Sequence, residues 1–197
     1  AIVRIVECGR AWPPEVAIAM ASAMYELNPV SRITVGTIGR PGQRLFLLQA
    51  SSVDETLTLK LEKEQVFALA RGIDELLEQL EQQEQISGTS VDEPPDEELE
   101  LGEPIEPAFS VAQMGLAFDG AVGMMVLVLA EGLEIETEGA ATARLWATPA
   151  QMRALSRHAR DLVAAGRPTC PLCGRPMEPG HACPRGNGHG QRVLEEG

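Results

Sequence analysis

Apolar residues occupy alternate positions at Leu57, Leu59 and Leu61, the period of a strand with one buried face. The period then changes. Val66, Leu69, Ile73, Leu76 and Leu80 recur at helical spacing, and so do Met152, Leu155, Ala159 and Leu162. Each set makes one apolar stripe suited to packing on a sheet. Ahead of the stripes lie denser apolar runs, Leu45–Ala50 (LFLLQA) and Met125–Ala130 (MVLVLA), which read as buried strands. Ile33-Thr34-Val35 with Ile38, and Phe109-Ser110-Val111 with Met114, supply an earlier strand in each half.

Each half therefore reads strand, turn, strand, strand, helix, and the two halves match. Gln65-Val66, Ala68-Leu69, Arg71 and Glu75-Leu76-Leu77 correspond at one constant spacing to Gln151-Met152, Ala154-Leu155, Arg157 and Asp161-Leu162-Val163. The strands are matched as Ile33–Val35 with Phe109–Val111, Leu45–Ala50 with Met125–Ala130, and Leu57–Leu61 with Ala143–Ala147. This pattern predicts an α+β fold of two pseudo-symmetric strand-strand-strand-helix repeats. Both helices are expected on one sheet, followed by a small C-terminal zinc knuckle. The competing explanation is two unrelated segments built from common residue types.

Element ends carry their own signals. Gly39-Arg40-Pro41-Gly42 is hairpin chemistry, because glycine tolerates positive φ and proline fixes its own. Thr148, Pro149 and Gln151 form a capping-box start for the second helix, and Gly166 with Pro168 beyond ends it. The expected boundaries are 24–80 and 109–166 for the repeats, joined by an acidic linker over 81–108. The zinc knuckle and tail then cover 167–197. Residues 1–23 show neither period and read as a frayed extension. Met24-Tyr25-Glu26-Leu27 would make a natural start, so the alternative to a disordered extension is a non-native one from an upstream mis-start.

Charge sharpens the picture. The chain has a formal net charge of -13, and between Ser51 and Phe109 there are 17 acidic residues against 3 basic ones. From Ser110 onward the tally is 9 acidic and 8 basic. The proline- and acid-rich stretch with Asp92, Glu93, Pro94, Pro95, Asp96, Glu97 and Glu98 has no apolar period, which predicts a solvated linker. Its carboxylates lack the spacing of a calcium loop. The acidic balance opposes attraction to nucleic acid and anionic lipid. No apolar run reaches the roughly 18 residues that cross a bilayer.

Three of the four cysteines lie within the 14 residues from Cys170 to Cys183, which fits a metal in a reducing cytoplasm better than a disulfide framework. Cys170-Pro171-Leu172-Cys173 is the turn that presents two thiolates to one ion. His181 and Cys183 stand two apart, so on an extended segment they share a face. Cys170, Cys173, His181 and Cys183 make a tetrahedral set that suits one structural Zn²⁺ per chain and leaves no open position for water. His189 is the rival fourth ligand. A redox CxxC normally opens a helix after a strand, whereas this pair follows a helix end.

Catalytic patterns are missing. No GxSxG, Walker or dinucleotide fingerprint occurs, and Gly36, Gly39 and Gly42 are explained by a hairpin. His158 sits between Arg157 and Arg160 on the second helix and reads as exposed rather than catalytic. Three function classes remain. The leading one is a non-enzymatic cytoplasmic protein that binds a protein partner through the repeated body and the knuckle. Another is an accessory enzyme or nucleotide-binding protein using a groove between repeats, with Arg40, Arg44 and Arg144 meeting an anion. The third is nucleic-acid contact through the knuckle, rimmed by Arg167, Arg175, Arg185 and Arg192.

Several of these segments together resemble a bacterial, mainly actinobacterial family catalogued as domain of unknown function 3090. They are Val35–Gly42 (VGTIGRPG), Leu61–Val66 (LEKEQV), Val111–Leu116 (VAQMGL), Ala165–Gly174 (AGRPTCPLCG) and Gly180–Gly188 (GHACPRGNG). The resemblance covers about Met24 to Gln191. It implies domain boundaries and no activity.

Overall fold

The computed structural model describes residues 3–5, 23–40, 43–86, 93–132, 140–165 and 172–173. In chain order the strands are β1 (Val3–Ile5), β2 (Met24–Leu27), β3 (Arg32–Ile38), β4 (Leu45–Ser51) and β5 (Thr56–Leu61), followed by helix α1 (Lys63–Gln82). A short 3-10 turn, Asp96–Leu99, leads to β6 (Phe109–Ser110), β7 (Gln113–Asp119), β8 (Met124–Ala130), β9 (Thr142–Ala147) and helix α2 (Pro149–Ala164). The α+β class and both helices stand as the hydrophobic pattern predicts. The chain divides into two compact units, residues 1–164 and 165–197.

The strands form two sheets rather than the single one expected. One has the order β3-β4-β5-β6, the other β1-β7-β8-β9-β2. The reason is an exchange of edge strands. β2 precedes β3 in the chain yet pairs in parallel with β9, and β6 precedes β7 yet pairs in parallel with β5. Each antiparallel three-stranded meander thus has its last strand covered by the lead-in of the other meander, and the two cannot merge edge to edge. Val30 N donates to Trp146 O at 2.8 Å, and Val111 N donates to Lys60 O at 2.9 Å, where each lead-in leaves its borrowed sheet.

Alternation decides which residues reach the core. In one sheet the rows Ile33–Ala50–Leu57 and Val35–Leu48–Leu59 are buried; in the other, Met114–Leu129–Ala143 and Leu116–Leu127–Leu145. They join Val66, Leu69 and Ile73 of α1 and Met152, Leu155 and Ala159 of α2 in one continuous cluster. Burying a side chain of this size contributes about 1.5–3 kcal/mol.

These registers correct the strand matching read from sequence. Phe46 lies opposite Leu61, and Met125 lies opposite Ala147, so Phe46 rather than Leu45 occupies the place of Met125. By the same ladders Ile33 answers to Met114, not Phe109. A one-residue slip exchanges the two faces of a strand, and an unbroken apolar run offers no alternation to prevent the error.

The helices are capped and crossed. Thr148 N donates to Gln151 Oε1 at 2.9 Å, and Gln151 N donates to Thr148 Oγ1 at 3.1 Å, the capping box expected. Glu62 N donates to Gln65 Oε1 at 2.8 Å at the start of α1. Where α1 and α2 cross, buried Ser156 Oγ lies 2.5 Å from Asp74 Oδ1 and 3.1 Å from Ala70 O. Its single proton serves one acceptor at a time. Arg160 completes the crossing with an ion pair to Asp74 at 3.1 Å.

Of the stretch expected to fray, Val3–Ile5 pairs in parallel with β7. The hairpin between β3 and β4 has its glycine where the sequence places it. Gly39 takes φ +100, and a Cβ there would come within 2.7 Å of Gln43 O.

Candidate functional site

The outer face of the four-stranded sheet carries polar residues at core depth. Thr34 and Gln49 are fully buried, Thr58 nearly so, and Arg32 is half-buried beside them. Burial of this kind is tolerated only when partners are present. The partners come from the segment that composition assigns to solvent. Leu99 to Pro104 lies across the sheet, and its backbone carbonyls take the donors. Thr34 Oγ1 donates to Leu99 O, Arg32 Nη1 to Glu100 O, and Thr58 Oγ1 to Pro104 O at 2.6 Å.

Gln49 is the centre of this network. Its Nε2 group lies 2.8 Å from Gly102 O, 3.0 Å from Thr58 Oγ1 and 3.1 Å from Pro104 O. Its Oε1 atom accepts from Gly102 N at 2.8 Å and from Arg32 Nη2 at 2.5 Å. The segment sits close enough that a Cβ at Gly36 would overlap the Leu101 side chain. At its start, Arg157 of α2 pairs with Glu93 at 2.6 Å and Asp96 at 3.0 Å. This part of the expected linker is therefore a strap held to the body, and Leu99 is 1% exposed. The acid-rich composition concealed it because the sheet grips backbone groups, which leave no mark in sequence.

Where the strap, the start of β3 and the start of α2 meet, there is a cavity of about 320 Å³. Arg32, Ile33, Pro94, Pro95, Glu98 and Leu99 line it, with Thr148 and Gln151 at the helix end. Gln151 is committed to the frame, since its Nε2 donates to Ser31 O at 3.1 Å and Val30 O at 3.3 Å. The arginines expected to meet an anion are elsewhere. Arg40 lies in the β3–β4 turn, Arg44 just before β4 and Arg144 within β9, and none lines the cavity. Arg32, which does, was missed in sequence because only the fold sets it beside the strap.

Of the expected zinc ligands, Cys173 is partly exposed. Cys170, His181 and Cys183 lie outside the described residues, as does the rival His189. Among the described residues no three His, Cys, Asp or Glu side chains group to hold a metal. His158 is partly buried on α2. Among the described residues no helix is long and apolar enough to cross a membrane.

No curated protein and no solved structure matches this chain. A family model does, over residues 25–183, which takes in both meanders, both helices, the strap and the cysteine cluster as far as Cys183. The chain belongs to the family described as protein of unknown function (DUF3090).

Proposed function

We propose that the protein is a cytoplasmic, non-enzymatic scaffold that binds a protein partner and carries one structural zinc. The observation behind this reading is the ligand order Cys170-x-x-Cys173 then His181-x-Cys183 within a separate C-terminal unit, residues 165–197. Three thiolates and one imidazole fill the four positions of tetrahedral zinc, so the ion would organise its segment rather than activate water. Such binding contributes on the order of 10 kcal/mol to local folding. Gly- and Pro-rich sequence with few apolar residues has little else to fold around.

The body fits a supporting role. We read it as an internal duplication, two strand-strand-strand-helix copies related by a pseudo-two-fold axis through the helix crossing. The matched helix positions, the paired capping residues and the reciprocal edge strands support that reading.

The test is metal content by plasma mass spectrometry on the full chain and on Cys173→Ser, each with a circular dichroism spectrum. One zinc per chain, lost in the variant while the body keeps its spectrum, is the expected result. A stoichiometric protein that co-purifies with wild type and not with the variant would extend it to partner binding. Metal-free protein prepared without chelators would overturn the zinc and direct attention to reactive thiols.

A further inference from the structure

Arg32 and Glu98 line the same cavity with opposite charges, and they do not pair with each other. Neither has an ion-pair partner among the described residues. For Arg32 this is unusual in a chain of net charge -13. Its guanidinium is half-buried and held by neutral acceptors, Glu100 O and Gln49 Oε1. Two of its five N–H groups suffice for those bonds, so the rest of the fork remains in a fixed orientation. Apolar groups of Ile33, Pro94, Pro95 and Leu99 share the lining with Ser31, Thr148 and Gln151.

We propose that this cavity binds a small zwitterion of the α-amino-acid type. The ligand carboxylate meets the Arg32 guanidinium, the ammonium meets the Glu98 carboxylate, and the side chain rests against Pro94, Pro95 and Leu99. Simpler ligands fit less well. A plain anion would face Glu98, a plain cation would face Arg32, and an apolar molecule would cover both charges without pairing them. The volume of about 320 Å³ lies at the small end of ligand sites. None of the expected zinc ligands is among the lining residues, and the two proposals stand or fall independently.

The experiment is saturation-transfer NMR on the full chain, with the common α-amino acids tested one at a time at millimolar concentration. Each binder is then compared with its amide and its N-acetyl form. Binding that requires both end groups, and that weakens by about tenfold in Glu98→Gln, is the expected result. Glu98 is exposed and makes no side-chain bond in the body, so this variant leaves the fold intact, which an amide correlation spectrum checks. No binding by any of them would overturn the proposal. So would binding indifferent to the end groups or unchanged in Glu98→Gln.

Discussion

The side-chain amide of Gln65 donates to the backbone carbonyl of Val111 at 2.8 Å, tying the first turn of α1 to the lead-in of β7. Gln151 does the same from α2 to Val30, the lead-in of β3. Each helix start is thus fastened to the segment that leads into the other meander. Gln65 is 7% exposed, whereas Gln151 is partly open to solvent. Gln65→Ala strands Val111 O and the Glu62 N–H, and should cost about 1–3 kcal/mol. Gln151→Ala should cost about 1 kcal/mol, the usual value of a lost cap. Urea unfolding of the two variants checks the order, and an equal cost would contradict it.

Gln49→Leu keeps the volume of the side chain and removes every polar contact it makes. Gly102 then loses partners for both its N–H and its carbonyl, and Arg32 loses one acceptor. A loss of about 3 kcal/mol or more is expected. Hydrogen exchange is the sharper readout, because the Gly102 amide should exchange much faster while α1 amides slow or quicken only with global stability. Unchanged protection at Gly102 would mean that the strap is held some other way.

Gly36→Ala places a methyl against the Leu101 side chain. Overpacking of this kind costs about 1–3 kcal/mol. Shortening the neighbour in Gly36→Ala/Leu101→Ala should return part of that, so the double variant is more stable than the sum of the single losses implies. Strict additivity in thermal unfolding would show that the two residues do not touch.

The ion pairs at the start of the strap are a weaker tether. Arg157 is 45% exposed on its side chain and Asp96 86%, so water competes for both. Glu93, with its side chain 12% exposed, would lose its cation as well, so Arg157→Ala should cost about 1–3 kcal/mol, of which high salt should remove only the exposed Asp96 part. A larger, salt-insensitive loss in denaturant titrations would assign Arg157 a packing role instead.

Local features were legible in the sequence because their causes are local. The capping box of Thr148 and Gln151, the turn at Gly39 and the apolar stripes of α1 and α2 each depend on residues within a few positions of one another. The sheets were not. Whether β2 lies beside β3 or β9 depends on two lead-in segments whose composition is unremarkable either way. The register of Leu45–Ala50 was hidden by its uniform apolarity. The strap was hidden by its acids, since Glu93, Asp96 and Glu98 suit water while Leu99 and the carbonyls behind them suit the sheet. The cavity required Arg32 and Glu98, far apart in the chain, to line one space. The expected zinc set rests on spacing alone, and all of it but Cys173 lies outside the described residues.

The helix crossing has a consequence for how such a molecule changes over time. Under the duplication reading, Asp74 and Arg160 occupy matching places in the two copies, as do Ala70 and Ser156, and each pair meets at the crossing. Two identical chains meeting there would have to set a residue against itself, aspartate on aspartate or arginine on arginine. Covalent joining lifts that restriction. One copy can hold the acid and the other the base, one the hydroxyl and the other the carbonyl it reaches. A substitution that would strike a pair of identical chains twice strikes this one once. Each half can then drift toward a separate task without losing its counterpart.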